Sequence, residues 1–321
     1  MDKRKQILLS VVTASFLAND SFADVNPENV ASALVRVETE AYKADYEDII
    51  FQDLFPIINL NDRTATSFAF YYVTEAGKAQ LNNPDGSIAW VDSFVGMKQA
   101  PLHDGNVGYK YTMKELERVG KLGTSLDSLK VETAIQSTLS LAQEIAFYGD
   151  EARGIVGFFN NPDVPSISPL SGTGGNTWAD KTPKEILADI NHIFATAFKT
   201  TKQQEFKANS KTNRLILPTD KWSYIATTPL NDNSDTTILD FIVSKSAFLT
   251  AKENVVASAQ IEGSTMRIYQ KDKKKLAFYW GHMINFKAPQ PDDLQFKVPA
   301  DFSIGGLALR KPLSCWDMEG I

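Results

Sequence analysis

The sequence predicts an α+β protein, and three stretches carry that reading. Leu126 to Tyr148 contains neither Pro nor Gly and repeats apolar or small residues at three- and four-residue intervals, the period of a helix with one buried face. Between Arg63 and Gly120, β-forming runs flank a dense turn segment, the pattern of a hairpin. From Thr182 onward strand-like and helical segments alternate, as in a compact α/β lobe.

The chain has 321 residues, of which 43% are hydrophobic and 22% charged, enough for a sizeable globular core. Its formal net charge of −6 argues against nucleic acid as a tight or sequence-specific partner, because a phosphate binder needs a basic surface. A lone cysteine, Cys315, excludes an internal disulfide framework and a cysteine-based zinc site.

In chain order, Lys3-Arg4-Lys5, the apolar run Ile7 to Ala18 and Ser21-Phe22-Ala23 imitate a secretory signal. Ser10, Thr13 and Ser15 dilute that run, and it is too short to span a bilayer, so the competing expectation is an amphipathic arm packed on a neighbour. Residues 24–62 are apolar for a terminus, as in an arm lying on its own or the next subunit or in an ordinary N-terminal subdomain: Val30 to Val37 suits a short helix, and Ile49, Ile50, Phe51, Leu54 and Phe55 end at Pro56. Phe68 to Val73 is strongly β-forming, Asn82-Asn83-Pro84-Asp85-Gly86 is turn chemistry, and Val107, Tyr109, Tyr111 and Met113 alternate with small or polar residues. The two runs predict a long twisted ribbon, which is marginal in water unless it lies against something. The alternative is a sheet edge within one compact domain.

The long helix buries Leu126, Leu129, Ala134, Ile135, Thr138, Leu139, Ala142, Ile145 and Ala146, begins at a Thr124/Asp127 cap and stops at Gly149. At about 1.5 Å per residue it is on the order of 35 Å long. Gly172-Thr-Gly-Gly-Asn176 lacks the glycine spacing of a dinucleotide fingerprint and is a turn. Thr182, Pro183 and Glu185 start a second helix whose stripe is Ile186, Ile190, Ile193 and Ala197, widened by Leu187, Phe194 and Phe198. Asn213 to Pro218 is a short buried strand, Asp235 to Ile242 a capped helix, and Val255 to Ala257 strand-like. Met266 to Gln270 and Leu276 to Trp280 flank the turn Lys271-Asp-Lys-Lys-Lys275, whose lysines serve as turn and edge protection. Leu294, Phe296 and Val298 alternate, and Gly305-Gly306 to Pro312 closes the chain.

Glu144, Tyr148 and Gly149 at the end of a long helix, followed by Gly154-Ile-Val-Gly157-Phe-Phe-Asn160, resemble the spine helix and following loop of tailed-phage major capsid proteins, the Hong Kong ninety-seven type. The likeness extends in element order from about Arg63 to Ile321. It implies an N-terminal arm at 1–62, an extended β-hairpin loop at 63–120, a peripheral domain with the spine helix at 121–181, an axial α/β domain at 182–263, peripheral return strands at 264–295 and an axial return at 296–321. It further implies a major capsid protein whose identical subunits form hexamers and pentamers of an icosahedral shell around a viral genome. The implied setting is the virion, with assembly in the host cytoplasm and with portal and decoration proteins as further partners. Two alternatives stay open: a cargo compartment shell of the encapsulin kind, and a secreted binding or adhesion protein entered through the signal-like N-terminus.

Catalytic, cofactor and metal residues are assigned to none, and an enzyme is the least supported class. His103, His192 and His282 form no metal or catalytic spacing and are structural. Cys315 is expected to be a packed thiol. Asp150-Glu151 and Asp292-Asp293 are adjacent carboxylates that do not face one another as an acid and base pair would. Some capsid relatives join subunits through lysine and asparagine side chains; Lys78, Lys98 and Lys110 find no specific acceptor, so no self-crosslinking is assigned.

Overall fold

A computed structural model describes residues 48–76, 90–115, 126–231, 235–261 and 263–321, the side chains of 73–76 and 126–129 excepted. The signal-like segment, nearly all of the expected arm, Lys78, the Asn82 to Gly86 turn and the Thr124 cap lie outside those residues.

The first elements are α1 (Phe51–Leu54), β1 (Ile57–Asn59), β2 (Ser67–Ala76), β3 (Asp92–Pro101) and β4 (His103–Thr112). The long helix α2 (Leu126–Tyr148) leads to β5 (Gly149–Asp150), β6 (Ile155–Val156) and β7 (Ser166–Ile167). Then follow α3 (Pro183–Thr200), β8 (Asn213–Pro218), α4 (Thr219–Thr227), α5 (Ile238–Lys245) and β9 (Val255–Ser258). The chain ends with β10 (Thr265–Gln270), β11 (Leu276–Phe286), β12 (Gln290–Asp292), β13 (Gln295–Leu309) and β14 (Cys315–Glu319).

Two five-stranded sheets hold most of these strands, while β2-β3 and β5-β6 are two-stranded sheets of their own. In the first, β11 lies between β1 and β13, and β13 also pairs with β12 and β4; the second runs β7-β14-β10-β8-β9. Strand β11 is buried on both faces. Leu276, Phe278 and Trp280 join Ala142, Ile145, Ala146 and Phe147 of α2 in one core, whereas Ala277 and Tyr279 meet Phe68 and Leu102 on the other side. A strand covered on both faces reads as a continuous apolar run rather than an alternation, as it does here. The second sheet packs Leu215, Leu217, Met266, Ile268 and Trp316 against Ile186, Ile190, Ile193 and Phe194 of α3, with α4 and α5 completing the cluster.

Along α2, Ala134, Thr138, Ala142, Ile145 and Ala146 are buried as the period predicts, while Ile135 and Leu139 are only half-buried. Gln143 and Phe147 are also buried, outside the predicted stripe. The helix stops at Gly149, whose φ is +73°. A side chain there would place its Cβ 2.2 Å from the Ile155 carbonyl oxygen, so both the left-handed backbone and the close return of β6 require glycine. The return segment then satisfies the helix end: the N–H groups of Phe158 and Phe159 donate to the carbonyls of Ala146 and Phe147 at 2.9 and 2.8 Å, and Asn160 Nδ2 donates to the Tyr148 carbonyl.

Three pairings differ from the sequence reading. The partner of β2 is β3, not the Val107 to Met113 run; that run is β4, which pairs along its whole length with β13. Gly96 interrupts the β-forming pattern of β3, and the reason lies across the strand: the Tyr72 ring covers Gly96 so closely that a Cβ would fall 2.2 Å from it. Strands β10 and β11, read as flanking one turn, separate into different sheets. The glycine-rich close also divides: β13 stays in the first sheet through Leu309, and only β14 enters the second. Gly305-Gly306 makes a β-bulge within β13, where the register jumps from Tyr279 opposite Gly306 to Trp280 opposite Ile304. Gly306 has φ +75°, and the Phe68 ring sits over Gly305 where a Cβ would fall 2.6 Å away.

Candidate functional site

The outstanding surface feature is the two-stranded ribbon of β2 and β3, a sheet of its own. Its register is regular from Ser67 opposite Pro101 to Ala76 opposite Asp92, so directly paired residues share a face. On one face, Tyr71 and its partner Met97 are 72% and 56% exposed, and Val95, two residues along from Met97, is 66% exposed. On the other, Phe94 is 61% exposed and Tyr72 covers Gly96. Trp90 and Val91, just before β3, are more exposed still. Apolar side chains thus stand in water on both faces of one ribbon, outside the buried clusters of the body.

The base of the ribbon is anchored. Phe68 is buried and stacks on Tyr279 with centroids 4.0 Å apart, and the Arg310 guanidinium lies 5.4 Å from the Phe70 ring centre. Leu102 N donates to the Thr66 carbonyl at 2.9 Å, closing the base. Beside it a cleft of about 270 Å³ opens between ribbon and body, lined by Phe70, Lys98, Gly154, Ile155, Asn161 and Leu307. The half-exposed Val156 extends that apolar surface. Fixed base and bare outer half together make a lever that presents aromatic and methionine side chains away from its own core.

Groups that carry chemistry in other proteins are dispersed. Cys315 is fully buried, and burial pushes its thiol up to about 12, the opposite of what a nucleophile needs. His282 lies in β11 with Nε2 3.5 Å from Asp301 Oδ2, outside hydrogen-bond geometry. Asp301 is held down to about 2, chiefly by the hydrogen bond from Lys287 at 2.8 Å. His103 begins β4, and His192 is half-buried on α3. Asp150 accepts from Arg153, which holds its carboxyl below the usual carboxylate range, and Asp292 pairs with Lys297 at 2.5 Å with the same consequence. Lys98 lies in the ribbon opposite Phe70, and Lys110 lies opposite Lys297 in the first sheet. Among the described residues no group of three or more His, Cys, Asp or Glu side chains is placed to hold a metal ion. None of the described helices is long and apolar enough to cross a membrane.

Two of the buried ion pairs that escaped the sequence reading lie beside the helix-end segment and α3, each joining residues far apart in the chain or hidden in a loop. Arg267 of β10 meets Asp317 of β14, with its guanidinium carbon 4.8 Å from the Phe158 ring centre and 5.4 Å from that of Phe159, tying the helix-end segment to the second sheet. Burial pushes the Asp317 carboxyl up, against the pull of Arg267. Lys181 and Asp189 pair at 2.6 Å with no exposure of either side chain. Trp178 Nε1 and the Leu170 N–H complete the Asp189 carboxylate at 3.1 and 2.9 Å. A lysine five residues before an apolar helical stripe gives no hint of an inward role.

The family model described as major capsid protein matches residues 77–321. Among solved structures, the capsid of Myoviridae phage XM1 is similar with a TM-score of 0.71 at 13% identity, covering 94% of this chain and 100% of that one. The capsid of a native GTA particle gives 0.63 at 8% identity, over 92% and 98% of the two chains. The Gordonia phage Cozz structure gives 0.57 at 11% identity, over 94% and 96%. No curated protein matches the sequence.

Proposed function

This chain belongs to the major capsid protein family, and from that premise we propose how its parts build a shell. Copies associate as hexamers and pentamers of an icosahedral particle enclosing a viral genome, with the portal and any decoration proteins as further partners and the host cytoplasm as the place of assembly. The role is structural, supplied by buried area between identical subunits. Within the 63–120 region the reaching element is the ribbon of β2 and β3. Within 1–62 the arm is the part preceding the body. The long helix with the first sheet makes the peripheral part, and the second sheet with α3, α4 and α5 makes the axial lobe, which the chain re-enters through β14.

One observation carries this reading: the ribbon is fixed at its base yet leaves Tyr71, Phe94, Val95 and Met97 in water on both faces. An interface that covers them removes apolar surface from solvent at roughly 25 cal/mol per Å². The test is the variant Tyr71→Ser/Phe94→Ser/Met97→Ser. These side chains touch no core of their own subunit, so its thermal midpoint should stay near wild type, while particles in negative-stain micrographs should be lost or fragile. Normal particles from this variant would remove the ribbon from the assembly interface.

A further inference from the structure

The net charge of −6 hides a local reversal. Three loops at the crossing between the two sheets are hydrogen-bonded into one patch: residues 202–214 before and into β8, 271–275 between β10 and β11, and 310–311 after β13. Lys271 N donates to the Thr212 carbonyl at 2.8 Å, Arg310 N to the Lys275 carbonyl at 2.8 Å, and Arg310 Nη1 to the Lys273 carbonyl at 2.8 Å. Glu205 joins all three, taking Lys275 at 2.8 Å and Lys311 at 3.0 Å. Together the loops contain ten lysines and arginines against two acidic residues, Glu205 and Asp272. Glu205 is occupied by its two lysines, and Asp272 accepts the Lys274 N–H at 2.9 Å. Lys202, Lys207, Lys211, Lys273 and Lys274 are exposed, and among the described residues no carboxylate pairs with any of them.

We propose that this patch is a contact site for the phosphate backbone of nucleic acid, independent of base sequence. A polyanion responds to local potential, not to the average charge of the chain, and lysines on loops supply backbone contacts without base readout. Burial first, and then the positive charge of the nearby Arg214, pull the Lys271 ammonium below its ordinary range. Choosing nucleic acid over an acidic protein face rests on the reading that the shell encloses a genome.

The test uses full-length subunits before assembly, a short fluorescent DNA duplex of mixed sequence, and fluorescence anisotropy across a salt series. The variant Lys207→Gln/Lys211→Gln/Lys273→Gln/Lys274→Gln should bind at least tenfold more weakly at low salt. Its plot of log affinity against log salt should be shallower by about 0.9 for each lysine that meets a phosphate. The control Lys114→Gln/Lys184→Gln, outside the three loops, should bind as wild type. Weaker binding with a shallower slope supports the site, whether or not the variant still forms particles, provided its circular dichroism melt matches wild type. An unchanged affinity and slope overturns it, and so does an equal loss in the control. Lost particles with unchanged DNA binding also overturn it and make the patch a contact for an acidic face of a second subunit. Because binding is read on single subunits, its failure leaves the assembly role of the ribbon standing.

Discussion

Gln143 is a polar side chain, 2% exposed, inside an apolar helix face. Its Oε1 accepts the Ile50 and Phe51 N–H groups at 2.8 and 3.3 Å, and its Nε2 donates to the Asp48 carbonyl at 3.0 Å. From 93 residues away it does for the first turn of α1 what a capping residue does locally. Leucine at this position would fit the helix period better, yet it would leave two donors without a partner. Gln143→Leu should therefore lower stability by about 1–3 kcal/mol in urea denaturation. Leu141→Ala, at an exposed position of the same helix, should change it by no more than about 0.5 kcal/mol. Glycines 149 and 306 are the other single residues on which local geometry turns, one legible beforehand as a helix stop and the other only as half of an unexplained Gly-Gly pair.

Helix α3 was fully legible as an element because its signals are local. Thr182, Pro183 and Glu185 start it, and Ile186, Ile190, Ile193, Phe194 and Ala197 of the predicted stripe are buried, joined by the unpredicted Asp189, with Leu187 and Phe198 half-buried. Glu185 accepts the Thr182 N–H and hydroxyl, both at 2.8 Å, and also holds the Gly172 to Asn176 turn by accepting the Thr173 hydroxyl and N–H at 2.6 and 2.9 Å. The Thr173 hydroxyl, then the Thr182 N–H, pull this carboxyl from 4.5 down to about 2. A pKa lowered in the folded state means stability that is complete above the unfolded value and lost as pH falls through the folded one. The difference in urea midpoint between wild type and Glu185→Gln should accordingly be full near neutral pH and shrink as pH falls from about 4.5 to about 2. An equal difference at both ends would mean that the carboxylate does not anchor this turn. The ribbon shows the opposite case. Its strand character was legible in Phe68 to Val73, but its partner was not, because alternation specifies which residues share a face and is silent about which strand lies alongside.

At the scale of the whole molecule, the two five-stranded sheets are joined most directly by the short crossings at 271–275 and 310–314. Glu205 is the pin: its carboxylate is almost fully buried between Lys275, itself 12% exposed, and the more exposed Lys311. Burial pushes that carboxyl up, but the hydrogen bonds from the two lysines outweigh it and leave it below its ordinary range. Glu205→Gln leaves Lys275 with an uncompensated buried charge and should cost on the order of 3 kcal/mol. If the pin couples the sheets, denaturation followed by near-ultraviolet circular dichroism should be a single transition in wild type and should broaden or split in the variant. A variant that unfolds as sharply and at the same midpoint would show the sheets to be coupled elsewhere.

By itself the sequence determined the α+β class, the extent of the long helix, the stripe and cap of α3, and a resemblance to a family that the family match bears out. These are consequences of periodicity and of turn and cap chemistry, which act over a few residues. Tertiary structure alone decided that β4 pairs with β13, that β10 and β11 part company, that Arg267 faces Asp317, and that three basic loops meet in one patch. Each of those depends on contacts between residues tens to hundreds of positions apart. Their energy comes from burial and charge pairing in three dimensions, which no short window of sequence contains.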